Sequence, residues 1–401
     1  MKIPLLNTLV QILGKLVMLV IALVTTGMLT RGLGVKVYGD FILITSMLIL
    51  FDSLADMGTR IIGVREASRE EREEGKRKIW INVAILRIVL AATSLILAMI
   101  VAYFWVNLRQ IWSAAVLGFA MIVFTSIAGS MEIIWQSQQK MHKKVMVEVL
   151  FPVLFLIAFS RLGVGVGLSG VMGLYLVARM ASLVLGWQQA GIRVEGKMVD
   201  FGLIKKLLLT SWPMGLYLLL FSAYDRAIDS MMISKFLGQA EVAWYGLAYK
   251  IYGALLLPAY FLVSSIFPII SSKAIGKKRI FWITAGFLFF GAAAVVSTVE
   301  LGAPLMVGIL GGDQFLPAVE VLRLLIVAVI FSYFGHLAGF SLISKNGQKE
   351  MMKLGVVVLL FNFGSNLWAI PRFGIMGAAG VTVATEALGM GLMSFFLRRK
   401  L

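Results

Sequence analysis

Arg60-Ile61-Ile62-Gly63-Val64-Arg65-Glu66-Ala67-Ser68-Arg69-Glu70-Glu71-Arg72-Glu73-Glu74-Gly75-Lys76-Arg77-Lys78 is a charged segment lying between two apolar runs, 38–59 and 79–104. Each run has the length a helix needs to cross a bilayer, roughly 20 mostly apolar residues. The segment between them carries seven Lys or Arg. Apolar run, basic loop, apolar run is the signature of two transmembrane helices joined on the cytoplasmic face, where basic residues accumulate. Within the loop, Arg69 to Glu74 reads as a solvated helix of mixed charge.

The rest of the chain repeats this pattern. Of 401 residues, 60% are hydrophobic and 14% charged, with no cysteine and a net charge of +17. A soluble domain is about 45–50% apolar and about 25% charged, so that class is excluded. Disorder is excluded by the apolar content, and a disulfide scaffold by the missing cysteines. Twelve apolar stretches follow one another at about 6–30, 38–59, 79–104, 111–136, 147–162, 169–189, 207–234, 242–269, 280–301, 318–343, 354–370 and 377–397. Alternating the loops between faces puts 25 Lys or Arg on the face that holds both termini, 6 on the other and 6 within spans. Both termini are therefore expected in the cytoplasm, with the chain in the cytoplasmic (inner) membrane. The same loops contain 8 acidic residues, so their excess equals the whole +17. The charge that would suggest a phosphate backbone as partner is a topology signal, and no nucleic acid is expected. All nine tryptophans fall near span ends, as expected of rings at headgroup level.

The charged segment 190–206 divides the spans six and six. Leu33-Gly34 with Tyr38-Gly39 after span 1 is echoed by Leu237-Gly238 with Tyr245-Gly246 after span 7. Six plus six in one orientation predicts parallel repeats. The expected architecture is an all-α polytopic membrane protein of twelve transmembrane helices, with an N-terminal lobe at 1–195 and a C-terminal lobe at 196–401. Transporters built this way hold substrate between their halves.

A charge at mid-bilayer costs about 2.5–3.5 kcal/mol on insertion scales, so such residues face water or a partner. In span 7, Ser222, Asp225 and Asp229 share a helical face at i, i+3 and i+7, with Arg226 beside them. Such groups can be salt bridges that lock helices. Two carboxylates exceed what one arginine neutralises, which favours a hydrated site. Lys250 lies on a small-residue stripe with Gly246 and Gly253, while Glu132 shares a face with Thr125 and Gly129. Asp52 and Asp56 approach the end of span 2, ahead of Arg60; Arg87, Arg179 and Arg323 sit in spans 3, 6 and 10, and Glu386 in span 12. Together they predict a polar cavity. No HExxH, cysteine cluster, P-loop or nucleotide fingerprint is present, and neither His142 nor His336 belongs to a ligand set. No catalytic constellation, metal site or cofactor is expected, so the chain is not read as an enzyme.

Several segments resemble a known superfamily. Thr30-Arg31-Gly32-Leu33-Gly34 with Tyr38-Gly39, and Asp56-Met57-Gly58 with Arg65-Glu66, resemble the opening of polysaccharide transporters. Ser211-Trp212-Pro213 through Asp225 and Asp229 to Leu237-Gly238 is similar to that family's second half. So are Gly311-Gly312-Asp313-Gln314-Phe315 and Pro371-Arg372-Phe373-Gly374-Ile375-Met376-Gly377-Ala378-Ala379. The family is the multidrug/oligosaccharidyl-lipid/polysaccharide (MOP) exporter superfamily, and the pattern is most similar to Wzx-type O-antigen flippases. The resemblance implies a V-shaped, two-lobed bundle that turns undecaprenyl-pyrophosphate-linked oligosaccharide between leaflets by alternating access. It implies Arg31, Arg87, Arg179, Arg226, Lys250 and Arg323 as phosphate or sugar contacts. Asp56, Glu132, Asp225 and Asp229 are then cavity acids or coupling groups for H+ or Na+. Expected partners are the lipid-linked oligosaccharide, membrane lipid and polymerase or assembly proteins. The alternatives are a multidrug/cation antiporter of the same superfamily and a non-transporting scaffold of a polysaccharide assembly complex.

Overall fold

The computed structural model describes residues 2–191, 198–271, 277–345 and 347–400, with the side chains of 2–8, 164, 225, 226, 268, 277, 278 and 348 outside the description. Every regular element among these residues is helical. The helices are α1 (Lys2–Asp56), α2 (Thr59–Arg69), α3 (Glu73–Phe104), α4 (Val106–Gln110), α5 (Trp112–Ser137), α6 (Met141–Leu162) and α7 (Gly167–Ala190), then α8 (Phe201–Ser222), α9 (Ile228–Phe236), α10 (Gln239–Ser271), α11 (Lys277–Gly311), α12 (Ala318–Ser344) and α13 (Gln348–Arg399). Ten helical stretches among the described residues are long and apolar enough to cross a membrane, so the chain is a multi-pass membrane protein.

Two of the ten are far longer than one crossing. α1 has 55 residues, about 80 Å at 1.5 Å per residue, and α13 has 52, against a hydrocarbon layer of about 30 Å. Each breaks at a single glycine in the left half of backbone space: Gly34 at φ 71° and Gly374 at φ 61°. A side chain is disfavoured there, which explains a glycine in each of these two motifs.

Span 7 departs from expectation. Instead of one regular helix over 207–234, α8 ends at Ser222 and a π-helical turn, Ala223–Ala227, leads into α9. A π turn closes i→i+5, so the α-helical period that placed Ser222, Asp225 and Asp229 on one face does not carry across it. Ser222 bonds Ser53 Oγ at 2.6 Å, whereas Asp229 bonds elsewhere.

Contacts divide the chain into two compact units, Met1–Leu33 with Leu43–Ser222 and Gly34–Ile42 with Ala223–Leu401. The boundary expected at 195/196 lies outside the described residues. In the first unit α5 is the hub, packing on α2, α3 and α7. Its buried small residues Ala114, Ala115, Gly118, Ala128 and Gly129 let neighbouring backbones approach closely. The Asp56-Met57-Gly58 turn packs on α8, where a Cβ on Gly58 would meet backbone atoms of Ser211 and Gly215. Two of the quoted motifs therefore owe their spacing to a helix contact.

In the second unit α12 is mostly buried, as a central helix should be. It packs against α10, α11 and α13. Here too the motifs meet. Tyr38 is fully buried edge-on against Phe315 at 5.6 Å, and Gly39 abuts the backbone of Gln239. The tryptophans are less uniform than expected: Trp187, Trp212, Trp282 and Trp368 are exposed, but Trp80 and Trp135 are buried. These two anchor helix to helix rather than helix to headgroup.

Candidate functional site

Charged side chains on six helices of the first unit enclose a cavity of about 250 Å³. Its walls include Asp52 and Asp56 of α1, Arg60 of α2, Arg87 of α3, Glu132 of α5, Glu148 of α6 and Arg179 of α7. The sequence had flagged four of these as site residues, and the fold brings them together: Asp56, Arg87, Glu132 and Arg179.

Arg87 is 3% exposed. Its guanidinium pairs with the Asp56 carboxylate, donates to Thr59 Oγ1 at 3.0 Å and donates through Nε to the Ser126 carbonyl at 3.0 Å. Ser126 Oγ returns a bond to the Arg87 carbonyl at 3.1 Å, so α3 and α5 are tied in both directions. The guanidinium reaches this place because Gly129 has no side chain; a Cβ there would overlap Arg87 Nη2. Arg60 lies 3.7 Å from Asp56 and 3.4 Å from Glu132, and Lys144 lies 3.7 Å from both Glu132 and Glu148. Paired in this way, buried charges become tolerable in an apolar bundle.

Two polar atoms at this cavity have no partner among the described residues. Asp56 is 5% exposed, yet its Oδ2 accepts no hydrogen bond, and Arg179 Nε donates none. The Arg179 guanidinium sits 5.4 Å from the Phe151 ring centroid.

The second unit has its own polar centre. Asp229 is 3% exposed and accepts from Tyr245 Oη at 2.5 Å, Asn366 Nδ2 at 2.8 Å and Thr382 Oγ1 at 3.2 Å. Asn362 joins Asn366 to Thr385 with bonds of 3.3 and 3.4 Å. Asn366 Oδ1 is buried and receives no hydrogen bond among the described residues. Further along α13, Glu386 accepts from Ser332 Oγ at 2.7 Å, and Ser332 pairs with Tyr252 at 2.8 Å. A larger concavity, about 710 Å³ along α13, is lined by no ionisable residue among the described ones.

The remaining sequence choices scatter. Arg31 is exposed on α1, and Lys250 is half-buried on α10. Arg323 lies beside Glu320 at 2.9 Å and Glu300 at 3.8 Å, in a half-exposed ion cluster. The side chains of Asp225 and Arg226 lie outside the described residues. Asp52 and Arg60 were read as part of the polar cavity but not named as contacts, and Glu148 was not singled out at all, although Arg60 stands one helical turn from Asp56. Tyr245, Asn366 and Thr382 carry no charge, so a search for in-span charges passes over them.

Residues 5–273 match the family model described as polysaccharide biosynthesis protein. No curated protein sequence matches the chain. Among solved structures, a multidrug resistance MATE family transporter of the MOP superfamily in an inward-facing conformation is similar at TM-score 0.79 and 15% identity, over 93% of this chain and 92% of that one. The lipid II flippase MurJ in an inward closed conformation is similar at TM-score 0.78 and 15% identity, over 98% and 87%. A MOP superfamily transporter from Pyrococcus furiosus Vc1 (DSM3638) is similar at 0.67 and 16%, over 99% and 95%. The fold is that of the MOP superfamily transporters.

Proposed function

The chain belongs to the polysaccharide biosynthesis protein family, and from that premise we propose that it is an exporter that moves undecaprenyl-pyrophosphate-linked oligosaccharide across the cytoplasmic membrane. The match over 5–273, on a fold shared with MOP transporters, carries the reading. In this reading α1 and α13 each cross twice, for twelve spans with both termini cytoplasmic. The two halves alternate access to the two leaflets. A pyrophosphate–sugar headgroup is anionic and heavily hydrated, so its passage needs polar groups inside an apolar bundle, which ionisable residues in both units provide.

Asp229 is the coupling group. Three donors offset the burial of its carboxylate. The orphan Asn366 Oδ1 lies on the side chain that bonds Asp229 and can meet either a proton on Asp229 or a Na+ ion. A multidrug/cation antiporter of the same fold is the second reading, and the family match favours the polysaccharide cargo over it. Complementation of flippase-null strains tests the proposal: surface polysaccharide is restored in at least one glycan system. Failure across several systems, together with drug efflux in vesicles, overturns it.

A further inference from the structure

The cavity of the first unit is poorly suited to a phosphate. Four carboxylates (Asp52, Asp56, Glu132, Glu148) face three guanidiniums (Arg60, Arg87, Arg179) across its walls. Two of the guanidiniums are already engaged: Arg87 by Asp56, and Arg60 by Asp56 and Glu132. A pyrophosphate entering here would meet four carboxylates in the wall and find two of the three guanidiniums already paired, whereas sites that bind phosphate present unpaired cationic donors. Lys144 beside Glu132 and Glu148, and Lys15 near Glu148, offset these carboxylates from behind the wall and are taken up by them rather than left free for an anion.

The unmet hydrogen bonds describe a different guest. Asp56 Oδ2 is a buried acceptor without a donor, and Arg179 Nε is a donor without an acceptor. Asp52 makes no hydrogen bond or ion pair with the described residues. Thr125 adds a hydroxyl to the wall. A hydroxyl group both donates and accepts, so neighbouring hydroxyls on one ring satisfy a carboxylate and a guanidinium together. At about 250 Å³ the space falls below the roughly 300–1,000 Å³ of pockets for drug-sized ligands, which suits a single ring rather than an oligosaccharide.

We propose that this cavity is a subsite for one neutral, hydroxyl-bearing sugar ring, gripped by Asp52, Asp56 and Arg179, and that the phosphates of the cargo bind elsewhere. The proposal rests on the export reading but is tested apart from it. The full-length protein, purified in a detergent without sugar groups, is examined by saturation-transfer NMR against methyl glycosides of hexoses, 6-deoxyhexoses and N-acetylhexosamines. Ring protons of at least one glycoside are expected to be saturated. Arg179→Gln and Asp52→Asn are each expected to weaken that binding about tenfold, the loss of one hydrogen bond to a charged group. Thr125→Val, which touches no ion pair, serves as a second variant should Arg179→Gln not fold, and is expected to weaken binding too. Sodium pyrophosphate is expected not to displace the glycoside. The idea is overturned by an absence of saturation across the panel, by binding unchanged in the variants, or by displacement with pyrophosphate. Glycoside binding in a protein that restores no polysaccharide sinks the export reading alone; restored polysaccharide without glycoside binding sinks this subsite alone.

Discussion

Replacing Arg87 by Met separates a structural arginine from a cargo contact. The substitution removes the bonds to Thr59 Oγ1 and the Ser126 carbonyl, both 3.0 Å, and the ion pair to Asp56. It strands a carboxylate that is 5% exposed, whose remaining cation is Arg60 Nε at 3.7 Å with a side chain 44% exposed. Breaking one side of a buried pair costs about 3–5 kcal/mol, mostly because the other charge stays buried. Removing both charges is different: Arg87→Met with Asp56→Leu leaves no stranded carboxylate and should recover most of the loss. Detergent-denaturation equilibria in mixed micelles, followed by tryptophan fluorescence, measure both variants. The expected order of stability is wild type near the double variant, with Arg87→Met about 3–5 kcal/mol below. An Arg87→Met protein of wild-type stability that has lost transport would refute the reasoning and return Arg87 to the cargo.

Other outcomes follow from the same packing. Gly129→Val drives side-chain atoms into the Arg87 guanidinium and should destabilise by about 1–3 kcal/mol in the same denaturation assay. Tyr245→Phe removes the 2.5 Å donor to Asp229 and is expected to change the cation dependence of transport in vesicles while membrane abundance stays normal. The Asp200 carboxyl is held below its usual range chiefly by Lys78 at 2.8 Å and also by the Leu203 backbone N–H at 3.0 Å. A depressed acid stabilises above its unfolded pKa and loses that contribution as pH falls through the folded value. Amide protection at the start of α8 should therefore hold at neutral pH and fall below about pH 4, and Asp200→Asn should abolish that pH dependence.

The membrane class was legible because it needs only composition, run length and the sorting of Lys and Arg among loops. The bends at Gly34 and Gly374 were visible as motif glycines, but their geometry was not: a glycine in an apolar run does not announce a left-handed φ. The π turn at Ala223–Ala227 was hidden for a similar reason, since hydrophobic period assumes regular α-helix. In-span charge led to Asp56, Arg87, Glu132, Arg179 and Asp229, because each must be compensated inside the bundle. The same signal overrated Arg323, whose place beside Glu300 and Glu320 depends on which helices adjoin. It also missed Tyr245, Asn366 and Thr382, whose neutral groups need a tertiary structure to reveal what they bond. Tyr38-Gly39 and Asp56-Met57-Gly58 drew attention as motifs and prove to build helix contacts, apart from Asp56 itself.

The most direct measurement reconstitutes the purified protein in liposomes containing a labelled undecaprenyl-pyrophosphate oligosaccharide and follows the label's exposure to an external, membrane-impermeant glycosidase. Protein-dependent transfer of label to the accessible leaflet is expected, lost in Asp229→Asn. Exposure no faster than in protein-free liposomes, from preparations that are folded and inserted, would contradict it.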